Sequence, residues 1–252
     1  MLLAIDIGNS NINLGVVEGK RLLERFAIPT AQESYSRQLK RIFSRYKADQ
    51  AIICSVVPEA TRRLKSALRS FIARDILVAG EDFPVPLKNC YRKPAQVGQD
   101  RLVNAFAGVL TYQAPLIVVD FGTAVTFDVV SAQQEYLGGM IFPGLNISLD
   151  ALGERAALLP RVKLGRPKEF IGRDTQNSIL SGLVYGISAL VDEMIDKIKQ
   201  EIGNKSAVIF TGGDAALISG YCRQKHKLDP ELTLKGLTML WFYYNRENEK
   251  NS

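Results

Sequence analysis

Three carboxylates in this sequence stand where phosphate chemistry could use them. The first closes an apolar run. Leu2-Leu3-Ala4-Ile5 leads to Asp6, then Ile7-Gly8-Asn9-Ser10-Asn11 follows, and Ile12 to Val17 is apolar again. The pattern predicts strand, tight polar turn, strand. Gly8 lets the chain bend where a β-carbon would crowd it. The small polar residues leave backbone N–H groups open, and such a concavity favours anions such as phosphate. Asp6, at a strand end, is placed to hold a divalent cation beside those phosphates. An ordinary hairpin turn with a capping Asp explains this stretch equally well.

The second carboxylate repeats the first. Leu116-Ile117-Val118-Val119 ends in Asp120-Phe121-Gly122-Thr123-Ala124, and Val125 to Val130 supplies the partner strand. Asp6 matches Asp120 and Gly8 matches Gly122, both 114 residues apart, close to half the chain. Internal repetition on that scale predicts two related lobes, each opening on a phosphate-type hairpin. Two such turns could close on one nucleotide from opposite sides. The third carboxylate lies in Gly98-Gln99-Asp100-Arg101, just before a helical pattern of Leu102, Val103, Phe106 and Val109. There an Asp commonly caps the helix, and on this run alone that is the preferred reading. The functional reading is an Asp and an Arg presented to a substrate, since the planar Arg fork suits a carboxylate or phosphate.

The rest of the composition narrows the chemistry. The single histidine, His226, falls in Gln224-Lys225-His226-Lys227 and is expected on an exposed basic loop, so a general base is expected to be a carboxylate. The three cysteines are far apart with no CxxC pair, which argues against a disulfide framework or structural zinc. No apolar run approaches the roughly 18 residues of a membrane span. The N-terminus runs straight into a strand and does not resemble a signal peptide, so a cytoplasmic location is expected. Net charge is +6, with 13 Lys/Arg against 4 Asp/Glu between residues 20 and 74. That excess is read as the solvated face of helices, although it could attract anionic ligands or nucleic acid.

The elements that must position these residues alternate. Helices are expected over Gln32–Lys47 and Glu59–Ile72, and strands over Ala51–Val57 and Asp75–Ala79, an α/β arrangement. Gly138-Gly139 to Gly144 is a glycine-rich strand and turn. Leu152 to Ile171 is expected to be a long basic loop. A helix near Asn177–Ile202 carries an apolar stripe of Ile179, Leu183, Ile187, Leu190, Met194 and Ile198, ends near Gly203 and is a candidate interface. The strand Ala207–Thr211 runs into Gly212-Gly213, where backbone could cover a flat ring such as adenine. Asp229 and Pro230 are expected to open a last helix, and the polar tail Asn245–Ser252 to fray.

Together Asp6-Ile7-Gly8-Asn9-Ser10, Gly98-Gln99-Asp100-Arg101, Asp120-Phe121-Gly122-Thr123-Ala124 and Thr211-Gly212-Gly213 resemble, in order and spacing, the type III pantothenate kinases, over roughly residues 2 to 240. The resemblance implies the acetate and sugar kinase, Hsp70 and actin superfamily. Its α/β fold has two ribonuclease-H-like lobes, here 1–114 and 115–252, with the nucleotide in the cleft between them. It implies ATP-dependent phosphorylation of the terminal hydroxyl of pantothenate, the first step to coenzyme A, by a homodimer needing Mg²⁺ and a monovalent cation, K⁺ or NH₄⁺. By motif, Asp6, Ile7, Gly8, Asn9, Ser10, Asn11, Ile12 and Asn13 would form the phosphate turn, with Asp6 holding Mg²⁺ through the phosphates. Thr123 would contact ATP, and Asp120 would bind the monovalent cation. Asp100 would be the base, and Tyr91, Gly98, Gln99, Asp100, Arg101 and Thr175 would line the pantothenate pocket. Around Arg155–Pro160, where family members often carry a threonine, no residue is assigned. The alternatives are another small-molecule kinase or a phosphatase of the superfamily, and a non-catalytic transcription accessory factor using the basic 20–74 region.

Overall fold

The computed structural model describes residues 1–250, with Asn251 and Ser252 outside the described residues. In chain order the first elements are β1 (Leu2–Ile7), β2 (Asn11–Glu18), β3 (Arg21–Pro29), α1 (Ser36–Phe43), β4 (Gln50–Ser55), α2 (Pro58–Leu68), β5 (Ile76–Val78), β6 (Lys88–Asn89) and α3 (Gln99–Tyr112). There follow β7 (Leu116–Phe121), β8 (Ala124–Val130), β9 (Glu135–Pro143), α4 (Leu145–Arg155), α5 (Thr175–Ile202), β10 (Ala207–Thr211), α6 (Ala215–Ile218), β11 (Lys227–Leu228) and α7 (Leu232–Lys250).

The chain divides into two compact units. One holds residues 1–87, 92–107 and the segment from Leu232 on, and the other holds 88–91 and 108–231. This differs from a division at 114/115 in two ways. The boundary falls inside α3, and the C-terminal segment belongs with the N-terminal unit. The reason is packing: α7 lies on β1, β2 and β4. Where α7 meets α3, Gly236 has so little room that a β-carbon would sit 2.8 Å from the Val103 carbonyl oxygen and 3.1 Å from Ala107 Cβ.

In the first unit the sheet order is β3-β2-β1-β4-β5. β1, β2 and β3 are antiparallel, and β4 and β5 run parallel to β1. β1 is central, so Leu3, Ile5 and Ile7 are fully buried in a core with Leu14, Leu39, Ile53 and Leu64. Burying each such side chain contributes about 1.5–3 kcal/mol. The second unit has the order β11-β10-β7-β8-β9-β6. Apart from β6 it repeats the first: β7, β8 and β9 antiparallel, β10 and β11 parallel on the other side of β7. Its core gathers Val119, Phe121, Phe127, Val184, Val191, Ile195 and Phe210. The repeated hairpin seen in sequence is thus a repeated sheet.

Several elements differ from expectation. β3 was not anticipated, because Arg21–Pro29 has charged residues among its apolar ones and is only partly buried. α1 and α2 are shorter than their apolar patterns, ending at Phe43 and Leu68. Leu152–Arg155 belongs to α4, and irregular chain begins at Ala156. On α5 the buried face is Leu180, Val184, Val191, Ile195 and Ile198 with Ser181 and Ser188. The predicted stripe, apart from Ile198, is only half-buried. α5 is long and apolar enough to cross a membrane by length and composition, yet its Val184, Val191 and Ile195 are fully buried in the core of the second unit. Asp229 and Pro230 stand just before α7, as expected. Asp229 accepts from the Glu231 N–H at 3.3 Å and the Tyr112 hydroxyl at 2.8 Å. α7 runs on to Lys250 through most of the tail expected to fray. His226 is not on an exposed loop: it is half-buried, stacked on Phe210 at 3.9 Å and bonded to Ser219 at 2.7 Å.

Candidate active site

Asp6 is the next-to-last residue of β1, at the sheet's centre. Its register partners are Asn13 on β2 and Cys54 on β4. Alternation along β1 sends Ile5 and Ile7 into the core and turns Asp6 to the other face. Asn13 Nδ2 donates to Asp6 Oδ2 at 3.3 Å. Beyond Asp6 the turn is tied by the Gly8 N–H to the Asn11 carbonyl at 3.0 Å. Thr30 braces it from outside, its hydroxyl donating to the Gly8 carbonyl at 2.7 Å and its N–H to the Ser10 carbonyl at 3.0 Å. Asn9, Ser10, Asn11 and Asn13 are exposed. Ile7 and Ile12 are fully buried, so a ligand in this turn could meet them only through backbone.

Asp100 is the second residue of α3 and belongs to the same unit. It does not cap the helix from outside. Its Oδ1 accepts from the N–H of Arg101 at 2.9 Å. The carboxylate folds back over Gly98, where a β-carbon would lie 2.4 Å from Asp100 Oδ1 and 3.6 Å from Val56 Cγ1. Gly98 therefore makes room for the Asp100 carboxylate. Arg101 is buried, at 8% exposure, and is less open than a substrate clamp on a loop would be. Its charge acts on its neighbour: burial raises the Asp100 pKa, while the Arg101 N–H and guanidinium hold that rise back.

Asp6 feels both burial and the Asp100 charge, and its pKa rises from an ordinary 3.8 to about 7, the Asn13 hydrogen bond opposing the rise. Two acidic groups with an excess of negative potential are a fit environment for a hard divalent cation. No group of three His, Cys, Asp or Glu side chains among the described residues would cage a metal by itself.

In the second unit Asp120 stands at the same place on β7. It pairs across to Thr126 on β8 and Thr211 on β10. Its carboxylate lies against two glycines: β-carbons on Gly122 and Gly212 would be 3.4 and 2.4 Å from Asp120 Oδ1, and the latter 2.6 Å from the Phe121 carbonyl oxygen. Gly212 also has φ +93°, a backbone that suits only glycine well. A carboxylate beside a carbonyl in so tight a place is a donor set for a hard cation. Thr123 is exposed in the turn, and Gly144 packs against its carbonyl, 2.3 Å from a built β-carbon. Next to Gly213, Asp214 donates its N–H to the Phe121 carbonyl at 3.0 Å, and its carboxylate accepts from Asn146 Nδ2 at 3.5 Å. Tyr91 lies with its ring 3.2 Å from where Gly138 would carry a β-carbon. Thr175 opens α5, exposed, after the N-cap Asp174, whose Oδ1 accepts from the Asn177 N–H at 2.8 Å.

The structure thus brings Asp6, Asn13, Gly98, Gln99, Asp100 and Arg101 into one unit, and Tyr91, Asp120, Thr123 and Thr175 into the other. Sequence reasoning missed Thr30, whose only signal was a small polar residue at a strand end, and Val56, 37% exposed beside Gly98 after β4. It also passed over Cys54, buried at the register of Asp6, with a pKa driven up by burial and by Asp6 and Asp100. A surface hollow of about 460 Å³ between Tyr35 and α2 includes none of the candidate site residues.

A family model described as type III pantothenate kinase matches residues 2–197. A type III pantothenate kinase of Pelobacter propionicus is 42% identical over 250 residues, covering 96% of this chain and 98% of that protein. One of Myxococcus xanthus is 40% identical over 251 residues, with 96% and 98% covered. Among solved structures, a protein of Campylobacter jejuni described as a conserved Baf family transcriptional activator superposes with a TM-score of 0.62 at 21% identity, covering 97% of this chain and 99% of that one. An activator of 2-hydroxyisocaproyl-CoA dehydratase from Clostridium difficile, with bound ADPNP, gives 0.54 at 10% identity over 100% and 97%. These two likenesses concern the fold.

The raised pKa of Asp6 has a stability consequence. The folded protein keeps the Asp6 proton at pH values where the unfolded chain has lost it. The stabilisation is therefore complete below about pH 4 and is lost as pH rises to about 7. In urea unfolding at pH 4 and pH 8, Asp6→Asn is expected to lose less stability than the wild type over that range, by on the order of 1–3 kcal/mol after allowance for solvent screening. Equal losses would show that Asp6 titrates normally.

Proposed function

The chain belongs to the type III pantothenate kinase family and phosphorylates pantothenate with ATP, on the way to coenzyme A; we propose that Asp100 is the general base of that reaction. The observation that carries this reading is the placement of Asp100 within electrostatic reach of Asp6 in one unit, with its pKa raised by burial. A base is most useful when its pKa lies near the working pH, and burial moves Asp100 in that direction. Phosphoryl transfer otherwise needs positioning and charge neutralisation more than covalent help.

In this reading the turn Asp6–Asn13 receives phosphate through the exposed Asn9, Ser10, Asn11 and Asn13 and through backbone at Ile7, Gly8 and Ile12, while Thr123 meets ATP from the second hairpin. Asp100 orients the substrate hydroxyl and accepts its proton. Gly98 leaves the space in which the carboxylate sits. Gln99, Tyr91 and Thr175 contact pantothenate. Arg101 also contacts pantothenate and, through its charge, opposes the rise in the Asp100 pKa. Asp6 would hold Mg²⁺ together with the phosphates, and Asp120 with nearby carbonyl oxygen would hold K⁺ or NH₄⁺. Bound Mg²⁺ would neutralise charge on the transferring phosphoryl group.

A homodimer fits the surface of the second unit, where Ile141 is 64%, Phe170 68% and Ile171 76% exposed. These side chains are candidates for its interface. The family relation supports a cytoplasmic location, where ATP is made available.

Asp100→Asn is expected to lower turnover in a coupled ADP-release assay with pantothenate, Mg²⁺ and K⁺ by about 10²–10⁴-fold while ATP still binds. A rate near wild type would remove Asp100 as the base. Asp120→Ala is expected to lose activation by K⁺, and an unchanged K⁺ dependence would refute the cation role. Light scattering is expected to give a mass about twice the chain's 27.9 kDa, falling to the monomer in Ile141→Asp; a monomeric wild type would sink the dimer.

A further inference from the structure

Two glycines lie beneath the side chains that open α3, and only one of them belongs to the run Gly98–Arg101. Gly98 makes room for Asp100. The other is Gly80, just past β5, with φ +84°. A β-carbon built on it would lie 2.3 Å from Gln99 Cδ and 2.7 Å from both Cγ and Nε2. The Gln99 carboxamide therefore rests directly on the bare α-carbon of Gly80. The surrounding loop is well held. The Gly80 N–H donates to the Phe83 carbonyl at 2.8 Å, and the Val78 N–H donates to Asp82 Oδ2 at 2.6 Å. Phe83 is itself packed on the ring of Tyr244 at 4.9 Å. A β-carbon at this position would push the flexible Gln99 side chain aside sooner than it would move the loop.

We propose that Gly80 is a positioning residue for substrate binding, fixing where the Gln99 carboxamide can meet the hydroxyl and amide groups of pantothenate. This rests on the reading of Gln99 as a pantothenate contact. A carboxamide both donates and accepts hydrogen bonds, so its value to a ligand rich in amide and hydroxyl groups depends on where it is held.

The test is a double-mutant cycle in steady-state kinetics, using wild type, Gly80→Ala, Gln99→Ala and the double variant. Gly80→Ala is expected to raise KM for pantothenate roughly tenfold and to leave KM for ATP within about twofold. On the Gln99→Ala background the same change is expected to move KM for pantothenate by less than about twofold. Backbone strain at φ +84° will lower Tm on both backgrounds alike, which separates a general loss of stability from the positioning effect. An equal KM rise on both backgrounds, or none on the first, overturns the proposal. Gln99→Ala with an unchanged KM for pantothenate refutes instead the placement of Gln99 in the pocket. Should Gly80→Ala not fold, Gly80→Asn carries the same β-carbon on a residue that accepts left-handed backbone more readily, and the cycle is read in the same way.

Discussion

The N-terminal unit depends on tolerating negative charge where it is least comfortable. Asp6 comes from the middle strand of a five-stranded sheet, and Asp100 from the start of a buried helix. Burial raises the cost of ionising both, and the Asp100 charge adds to that of Asp6. The neighbourhood is arranged around that tension. Asn13 donates to one carboxylate, the Arg101 N–H and charge favour the other, and Gly98 vacates the space into which Asp100 folds. A site with this excess of negative potential is poised for ligands that bring positive charge with them, as a metal-bound nucleotide does.

The second unit meets the same constraint in its own way. Asp120 occupies the matching position on β7, with Gly122, Gly212 and the Phe121 carbonyl beside it. The two copies share strand order and hairpin while differing in what surrounds the carboxylate. One sheet has been used twice, with the chemistry divided between the copies by small residues beside each Asp.

Much of this was legible in the sequence. The apolar runs into Asp6 and Asp120 announced both hairpins, and their spacing announced the duplication, because central strands are buried on both faces and have little freedom in composition. The three carboxylates stood out by type and context. What stayed hidden depended on contacts between segments remote in the chain. The Gly80–Gln99 contact joins residues with no shared pattern. The buried side of α5 escaped because apolar residues ring much of that helix, so periodicity alone could not choose between Val184 and Leu183. The solitary His226 suggested an exposed loop, since nothing nearby in sequence foretold Phe210 as its stacking partner.

The placement of α7 reaches beyond the native state. The sheet face formed by β1, β2 and β4 receives its covering helix from a segment that follows the whole second unit in sequence. A nascent chain therefore carries an uncovered N-terminal sheet until α7 is made, by which point the segments 88–91 and 108–231 already hold every strand of the second sheet. The order of birth is the reverse of the usual N-terminal-first completion: the inserted unit can close before the unit that surrounds it in sequence. A chain cut short before Leu232 would lose the cover over β1, the strand that presents Asp6.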